Sequence, residues 1–333
     1  MAQRYLLSID GGGIRGILPA TALVKLESVT GRPLRETFSF VAGTSTGALL
    51  SAGIAAGIPA KKMLDVYLKR GREIFTPRAP WNTLKRYTCG YMYQIQKLHD
   101  VLAEEFGAVR DWKLNDSPID LLLTAKGLDG RPWYFVRDNP KNSRVTGGFG
   151  LLDCATASAA APTYFQPWTI RGEPGTVVDG GVGVTGNPVY QACVEAFEYT
   201  PGYTPRETTV ISLGTGRFLF DQHPKGILGW LEWILGELLR SPGEQQTEIV
   251  YRHYTEIVFY RLDPDIQTLD PGLKKAIDMD DVESIEQLHR YGEQFAAFID
   301  WPAILAGTDI TFRVGKKKTS WYRYKRATAD DLT

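Results

Sequence analysis

The 333-residue sequence contains little cysteine and little histidine. Its three cysteines lie far apart and none forms a CxxC pair, so their spacing predicts neither a disulfide framework nor a zinc or redox site. This usage is typical of a reducing, cytoplasmic setting. The cysteines are Cys89, Cys154 and Cys193, and the four histidines are His99, His223, His253 and His289.

The sequence also lacks a net charge and a long apolar run. Its 38 basic and 38 acidic residues give a formal net charge of zero, which argues against a nucleic-acid polymer as the main partner. No segment reaches the ~18 uninterrupted apolar residues of a membrane-spanning helix. The N-terminus has no secretory signal pattern either. We therefore expect a protein that is soluble or binds membranes only peripherally.

Short apolar runs typical of strands alternate with helical stretches. The run 5–9 ends in glycines and precedes helical spacing over 17–26, and the run 37–42 precedes an alanine-rich stretch over 48–56. This alternation predicts an α/β fold with a mostly parallel sheet and helices on both faces. Further strand candidates are 119–124, 133–136, 176–178 and 209–213.

No internal repeat or low-complexity linker divides the chain. We expect one domain over residues 1–315, with recognisable motifs within 4–215 and a helical part over 216–315. Residues 316–333 form a basic and aromatic tail. A solvated extension is the simpler interpretation of this tail, and contact with anionic lipid head groups or a nucleotide is the alternative.

A glycine-rich turn, GGGIRG over 11–16, follows the first predicted strand. It matches the GxGxxG pattern of dinucleotide sites, and Glu36 follows at about the expected distance of 20 residues. The same backbone N–H groups could instead hold the oxyanion of a tetrahedral intermediate. A tight turn that needs glycine only for its backbone angles is a third interpretation.

A second glycine motif, GTSTG over 43–47, follows the second predicted strand and precedes a helix. This is the context in which GxSxG lifts a serine hydroxyl above the edge of a sheet. Ser45 is therefore the predicted nucleophile. Because the chain holds 34 glycines, a structural serine in a chance motif is the alternative.

A serine nucleophile needs a base, and none of the histidines lies in a motif-like loop at a strand end. A Ser/His/Asp triad is therefore the second choice. The preferred base is Asp179 in VVDGG, where an apolar run delivers a carboxylate to a glycine turn. The pair would require a hydrogen bond and partial exclusion of water. Alternatively, Asp179 could only cap the turn.

Together, the motifs DGGGIRG, GTSTG and DGG resemble the patatin-like phospholipase family in order and spacing, as do residues 155–167 and Asn187-Pro188. The resemblance covers about 4–215. It implies a modified α/β-hydrolase-like fold, a three-layer α/β/α sandwich, and hydrolysis of phospholipid or other lipid acyl esters without metal or organic cofactor. The implied roles are Ser45 as nucleophile, Asp179 as base, the backbone of Gly11, Gly12 and Gly13 as oxyanion hole with Arg15 in support, and Gly16, Gly43, Gly47, Gly180 and Gly181 as motif glycines.

The segment GILGWLEWILGELL over 226–239 is apolar but too short to span a bilayer. Trp230 and Trp233 make it a candidate for transient contact with a membrane surface. A buried core or oligomer helix is the alternative, and a homo-oligomer is one of our hypotheses.

Some bacterial members of the family act as membrane-degrading effectors that cyclic nucleotides switch on in antiphage defence. The resemblance extends that hypothesis, including a cyclic-nucleotide activator, to this chain. Two other classes remain open, a nucleotide-binding protein that uses the glycine turn and a non-catalytic interaction module. The sequence does not specify head group, acyl position or chain length.

Overall fold

The structure is a computed structural model. It describes residues 3–77, 90–142, 146–170, 175–183, 185–218, 224–227, 230, 242–310, 313–314, 317–318 and 322–326. The strands are β1 (Arg4–Ile9), β2 (Phe40–Gly43), β3 (Tyr91–Tyr93), β4 (Asp120–Gly127), β5 (Pro132–Val136), β6 (Thr163–Phe165), β7 (Trp168–Ile170), β8 (Gly175–Asp179), β9 (Thr208–Leu213), β10 (Val258–Leu262), β11 (Arg313–Val314), β12 (Lys317–Lys318) and β13 (Tyr322–Lys325).

Nine strands form one central sheet in the order β13-β10-β9-β1-β2-β4-β8-β7, with β5 paired to β4. The middle of the sheet, from β10 to β4, is parallel. The outer pairings β10–β13, β4–β5, β4–β8 and β7–β8 are antiparallel. The carboxyl ends of β1 and β2 therefore meet at one edge, where the glycine turn and the serine motif follow.

The helices are α1 (Ile17–Thr30), α2 (Leu34–Thr37), α3 (Thr46–Ala56), α4 (Ala60–Asp65), α5 (Gly71–Ile74), α6 (Ile95–Phe106), α7 (Leu151–Ser158), α8 (Val189–Val194), α9 (Pro242–His253), α10 (Ile266–Leu269), α11 (Ile285–Phe298) and α12 (Trp301–Leu305). Two π-helical turns, Val66–Arg70 and Glu195–Tyr199, continue α4 and α8. Short 3₁₀ turns cover Gly13–Gly16, Gly107–Val109, Leu114–Asp116, Pro205–Glu207 and Val282–Ser284.

Helices cover both faces of the parallel strands. Side chains alternate between the faces of a strand, and in β1 Leu6 belongs to one apolar core while Leu7 belongs to the other. The Leu7 core includes residues of α1, α3 and α11, and the Leu6 core includes residues of α8 and α9. The predicted α/β fold with helices on both faces of a mostly parallel sheet is therefore confirmed.

The predicted strands are present with small shifts, and the C-terminal part contains strands that the sequence did not reveal. The second run begins at Phe40 because Leu34–Thr37 form a helical turn with Leu34 buried. The part expected to be helical, 216–315, also supplies β10. A solvated extension is wrong for Tyr322–Lys325, because this segment pairs with β10 in the sheet.

Several residues singled out by the sequence lie outside the described residues, namely Cys89, His223, Trp233 and most of 226–239. Cys154 and Cys193 are buried free thiols. Among the residues that the structure covers, no helix has the length and apolar character needed to cross a bilayer.

Candidate active site

Ser45 occupies a strained turn between β2 and α3. Its backbone φ of 55° lies in the left-handed region, which residues other than glycine rarely adopt. The turn is tight on both sides. A Cβ atom at Gly43 would lie 2.1 Å from the Gly47 carbonyl oxygen, and one at Gly47 would lie 2.1 Å from the Ile9 carbonyl oxygen. Both glycines of GTSTG are therefore needed, because neighbouring backbone atoms leave no room for a side chain at either position.

Strand β4 brings the aspartate motif to this turn. Leu123 lies opposite Gly43 at the end of β2, and Ala125 lies opposite Asp179 at the end of β8. The two partners on β4 are only two residues apart, which corresponds to about 7 Å along a strand. Two motifs separated by more than a hundred residues of sequence thus end beside each other.

The space between them is bridged by Thr124. Its hydroxyl lies 2.7 Å from the Thr44 hydroxyl, which donates to the carbonyl of Thr185 at 2.5 Å. A Cβ atom at Gly180 would lie 2.1 Å from the Thr124 hydroxyl oxygen. Gly180 is therefore required where the aspartate turn packs on β4.

Asp179 is 2% exposed, and its carboxyl group lies near enough to the Ser45 hydroxyl for the two groups to interact. Burial raises the pKa of Asp179 to about 6, while interactions with the Ser45 hydroxyl and the Gly181 N–H oppose this shift. The Gly181 N–H donates to Oδ1 at 2.7 Å. Asp179 therefore caps its turn and also contacts the serine, so the two interpretations of this residue are compatible.

No individual role is predicted for residues 158–160 from the sequence, but this segment contacts both motif residues. The Ser45 N–H donates to the Ser158 hydroxyl at 2.9 Å, and the Asp179 N–H donates to the Ala160 carbonyl at 3.0 Å. Ser158 is completely buried at the end of α7. The end of this helix therefore fixes the positions of the serine and the aspartate relative to each other.

The glycine turn 11–13 lies directly beside the serine. A Cβ atom at Gly11 would be 3.2 Å from the Ser45 Cβ. The Gly11 N–H donates to the Gly186 carbonyl at 2.9 Å, so the expectation that all three amides are available to an oxyanion is wrong for Gly11. Among the described residues, none accepts a hydrogen bond from the N–H group of Gly12 or Gly13.

The glycine turn is stabilised by a hydrogen bond within the turn and by close packing against α3. The Arg15 Nε donates to the Gly12 carbonyl at 3.3 Å, and its guanidinium lies 5.5 Å from the centre of the Phe218 ring. A Cβ atom at Gly16 would lie 2.2 Å from the Thr46 hydroxyl oxygen. Arg15 therefore contacts the glycine turn directly, and its supporting role stays a prediction.

The C-terminal part, where the sequence showed no motif, supplies further contacts to this turn. Arg261 on β10 forms a two-pronged ion pair with the buried Asp10, at 2.9 and 2.7 Å. Burial raises the pKa of Asp10, although the Arg261 charge opposes this change. The carbonyl of Met279 accepts from the Ile14 N–H at 2.7 Å. Only the tertiary structure reveals these contacts.

An apolar cavity adjoins Ser45 and Gly13. Leu98, Leu102 and Phe106 line it from one face of α6, and their spacing covers two helical turns, or about 12 Å. An ion pair between Lys62 and Glu105, 3.4 Å apart, also lies in its lining. Other lining side chains are Leu49, Leu50, Ile58, Met63, Val66, Tyr67, Ile74, Phe75, Tyr164, Phe165 and Met279.

None of the described histidines lines this cavity. His99 stacks on Trp168 with ring centres 5.0 Å apart, and His253 packs against Tyr254. His289 lies on α11. These positions favour the aspartate over a histidine as the partner of the serine.

The dinucleotide interpretation also meets a geometric objection. Glu36 is exposed in α2, which precedes β2, whereas the glycine turn follows β1. Because β1 and β2 are parallel, Glu36 lies at the opposite edge of the sheet from the turn. In the part of the chain that the structure covers, no cluster of three His, Cys, Asp or Glu side chains could hold a metal ion.

A strained serine between a strand and a helix of an α/β sheet, near a buried carboxyl group, has the geometry of the class of proteins that carry a nucleophile elbow. Comparison with known families is more specific. Residues 7–192 match the family model described as patatin-like phospholipase, which is more than half of the chain. The chain belongs to this family, and the predicted resemblance is confirmed.

Curated relatives include three proteins named cGAMP-activated phospholipase. The Escherichia coli protein is 29% identical over 58% of this chain and 55% of its own length. The Pseudomonas aeruginosa protein is 32% identical over 54% and 52%, and the Vibrio cholerae protein 28% identical over 71% and 72%. The chain thus spans about half the length of the first two relatives.

Proposed function

We propose that this chain hydrolyses fatty-acyl esters of phospholipids or lysophospholipids through an acyl-enzyme on Ser45, with Asp179 as the base. The observation that carries this proposal is the placement of the strained Ser45 beside the buried Asp179 carboxyl group and an apolar cavity. The family membership supports the lipid class of the substrate.

In the first step, the Asp179 carboxylate takes the Ser45 proton as the serine oxygen attacks the ester carbonyl carbon. The carbonyl oxygen becomes an oxyanion that accepts hydrogen bonds from the N–H groups of Gly12 and Gly13. When the intermediate collapses, protonated Asp179 returns the proton to the leaving alcohol. The acyl group stays on Ser45.

In the second step, Asp179 takes a proton from water, and the resulting hydroxide attacks the acyl carbonyl carbon. Collapse breaks the bond to the serine oxygen, which regains the proton, and the fatty acid leaves. An ordinary aspartate is a weak base for this task. The pKa of about 6 brings Asp179 closer to neutrality while leaving it mostly ionised at pH 7.

The cavity beside Ser45 suits the hydrocarbon chain of the substrate. Its lining is almost entirely aliphatic and aromatic, so an acyl chain entering it would exchange water for apolar contact. The carbonyl group would then lie between Ser45 and Gly13, which line the same cavity. This placement assigns the acyl chain, rather than the head group, to the interior.

The first experiment is labelling with a fluorophosphonate probe, followed by peptide mass spectrometry. We expect modification of Ser45 in the wild type, none in Ser45→Ala, and a strongly slowed reaction in Asp179→Asn. Release of fatty acid from phospholipid vesicles then tests the substrate class. If a folded His→Ala variant lost activity about a thousandfold, a histidine would be the base and the assignment of Asp179 would be wrong.

We further propose that residues around Trp230 contact the membrane surface during catalysis. Ile227 is 88% exposed and Trp230 is 51% exposed, and tryptophan is favoured at lipid interfaces. Binding to liposomes should change the fluorescence of Trp230, and Trp230→Ala should weaken cosedimentation. An unchanged spectrum with bound liposomes would contradict this contact.

The names of the bacterial relatives support a proposal about control, namely that a cyclic nucleotide activates this chain as part of a membrane-degrading response. A panel of cyclic di- and trinucleotides should raise hydrolysis of vesicles, and light scattering would show whether assembly accompanies activation. If no cyclic nucleotide of the panel changes activity or assembly, activation by these nucleotides is excluded.

A further inference from the structure

Arg261 lies at the centre of a buried polar cluster at the carboxyl edge of the sheet. The residue is 5% exposed and reaches across β9 toward the end of β1. Its Nη1 donates to Asp10 Oδ1 and to the Ser212 hydroxyl, both at 2.9 Å. Its Nη2 donates to Asp10 Oδ2 at 2.7 Å and to Asp263 Oδ2 at 3.0 Å. One guanidinium therefore binds a side chain of β9 and the residues that directly follow β1 and β10.

The same cluster contains Asp10, the residue before the glycine turn. Asp10 directly precedes Gly11, and the Thr215 hydroxyl donates to the Gly11 carbonyl at 2.7 Å. Asp263 accepts from the Gly216 N–H at 3.0 Å, which fixes the segment that carries Thr215. Gly11 is thus held through Asp10 on one side and through Thr215 on the other.

We infer that Arg261 is a positioning residue for the glycine turn, which it holds through Asp10 and, by way of Asp263, through Thr215. The inference rests on the proposed function, since it concerns the N–H groups assigned to the oxyanion. Arg261 lies outside the 7–192 region that matches the family model, so the C-terminal part of the chain completes a site whose motifs lie elsewhere. A planar guanidinium suits this task because lysine has one compact ammonium that cannot reproduce a two-pronged pair.

The test compares Arg261→Lys with Arg323→Lys. Arg323 lies directly opposite Arg261 on the neighbouring strand β13, but it is partly exposed and pairs with Glu248 at 2.7 Å. The two variants make the same chemical change at adjacent positions, and only one reaches the glycine turn. The measurements are kcat and KM on a lipid ester, and hydrogen–deuterium exchange of the peptide that covers residues 5–18.

For Arg261→Lys we expect kcat to fall about a hundredfold with KM changed by less than about threefold, because a small displacement of oxyanion donors affects the transition state most. Exchange of the Gly11 amide, which is hydrogen-bonded to the Gly186 carbonyl, should become faster. Arg323→Lys should match the wild type in both measurements. A folded Arg261→Lys variant with wild-type kcat, or a loss of kcat without faster exchange in the turn, would overturn the inference.

If Arg261→Lys does not fold, Thr215→Val tests the same idea, because it removes the hydrogen bond to Gly11 and keeps the size of the side chain. Faster exchange and a lower kcat are expected, and wild-type values for both would overturn the inference. Failure of the proposed function has a different signature. The wild type would then neither release fatty acid nor be labelled at Ser45, while the exchange comparison would still test the contact to the turn.

Discussion

Replacing Asp179 with asparagine is expected to abolish catalysis and to stabilise the folded chain at neutral pH. Burial raises the pKa of Asp179 from the ordinary 3.8 to about 6. A difference of about 2 units corresponds to about 3 kcal/mol of stability lost when the buried carboxyl group ionises. Asparagine is uncharged and its carbonyl can still accept from Ser45 and Gly181. The about 3 kcal/mol is an upper limit, since the new amide N–H groups also need partners.

The sign of this effect depends on pH. Because the pKa is higher in the folded state, the cost is absent below about pH 3.8 and complete above about pH 6. Asp179→Asn should therefore exceed the wild type in melting temperature by roughly 4 °C at pH 7.5, and by little at pH 4. In the wild type, kcat/KM should fall as the pH drops through about 6, where the base becomes protonated.

Thermal unfolding followed by circular dichroism at both pH values measures the stability difference. Asp111→Asn is the matched control, because this side chain is 88% exposed and its replacement should leave the melting temperature unchanged at either pH. If Asp179→Asn is no more stable than the wild type at pH 7.5, or if its advantage persists at pH 4, the reasoning about a buried charge is refuted.

Three further variants probe the elbow and the cavity. Gly47→Ala would place a Cβ atom 2.1 Å from the Ile9 carbonyl oxygen, so the yield of folded protein should collapse, whereas well-folded protein on size-exclusion chromatography would contradict the packing. Ser158→Ala leaves the Ser45 N–H without its acceptor and should cost about 1–3 kcal/mol in unfolding free energy, measured by urea titration. Met63→Trp narrows the cavity and should lower kcat/KM for long acyl chains more than for short ones; equal effects on both would place the acyl chain elsewhere.

The two glycine motifs and the aspartate turn were predictable because each depends on local geometry. A serine followed by a helix, with glycines two residues away on both sides, requires a particular backbone turn regardless of the rest of the chain. The alternation of apolar runs with helical spacing similarly predicted the parallel sheet, since side-chain periodicity reflects local structure. The order of Gly11, Ser45 and Asp179 along the chain then matched one family.

The contacts between these motifs were not predictable in the same way. No periodicity relates Ser158 to Ser45 or Arg261 to Asp10, which are 113 and 251 residues apart in the chain. The hydrogen bond that occupies the Gly11 N–H also depends on a distant carbonyl, that of Gly186. The pairing of Tyr322–Lys325 with β10 was missed because four residues show too short a pattern to separate an edge strand from a polar tail.

The sequence by itself determined which backbone turns form and which side chains they present, because turn geometry and side-chain periodicity act over a few residues. It therefore predicted Ser45, Asp179 and the glycine turn as the candidate site. Only the tertiary structure decided that β4 aligns the two motifs, that burial raises the pKa of Asp179, and that Arg261 holds the turn. Strand register, burial and long-range ion pairs arise from the packing of the whole chain, so no local segment contains them.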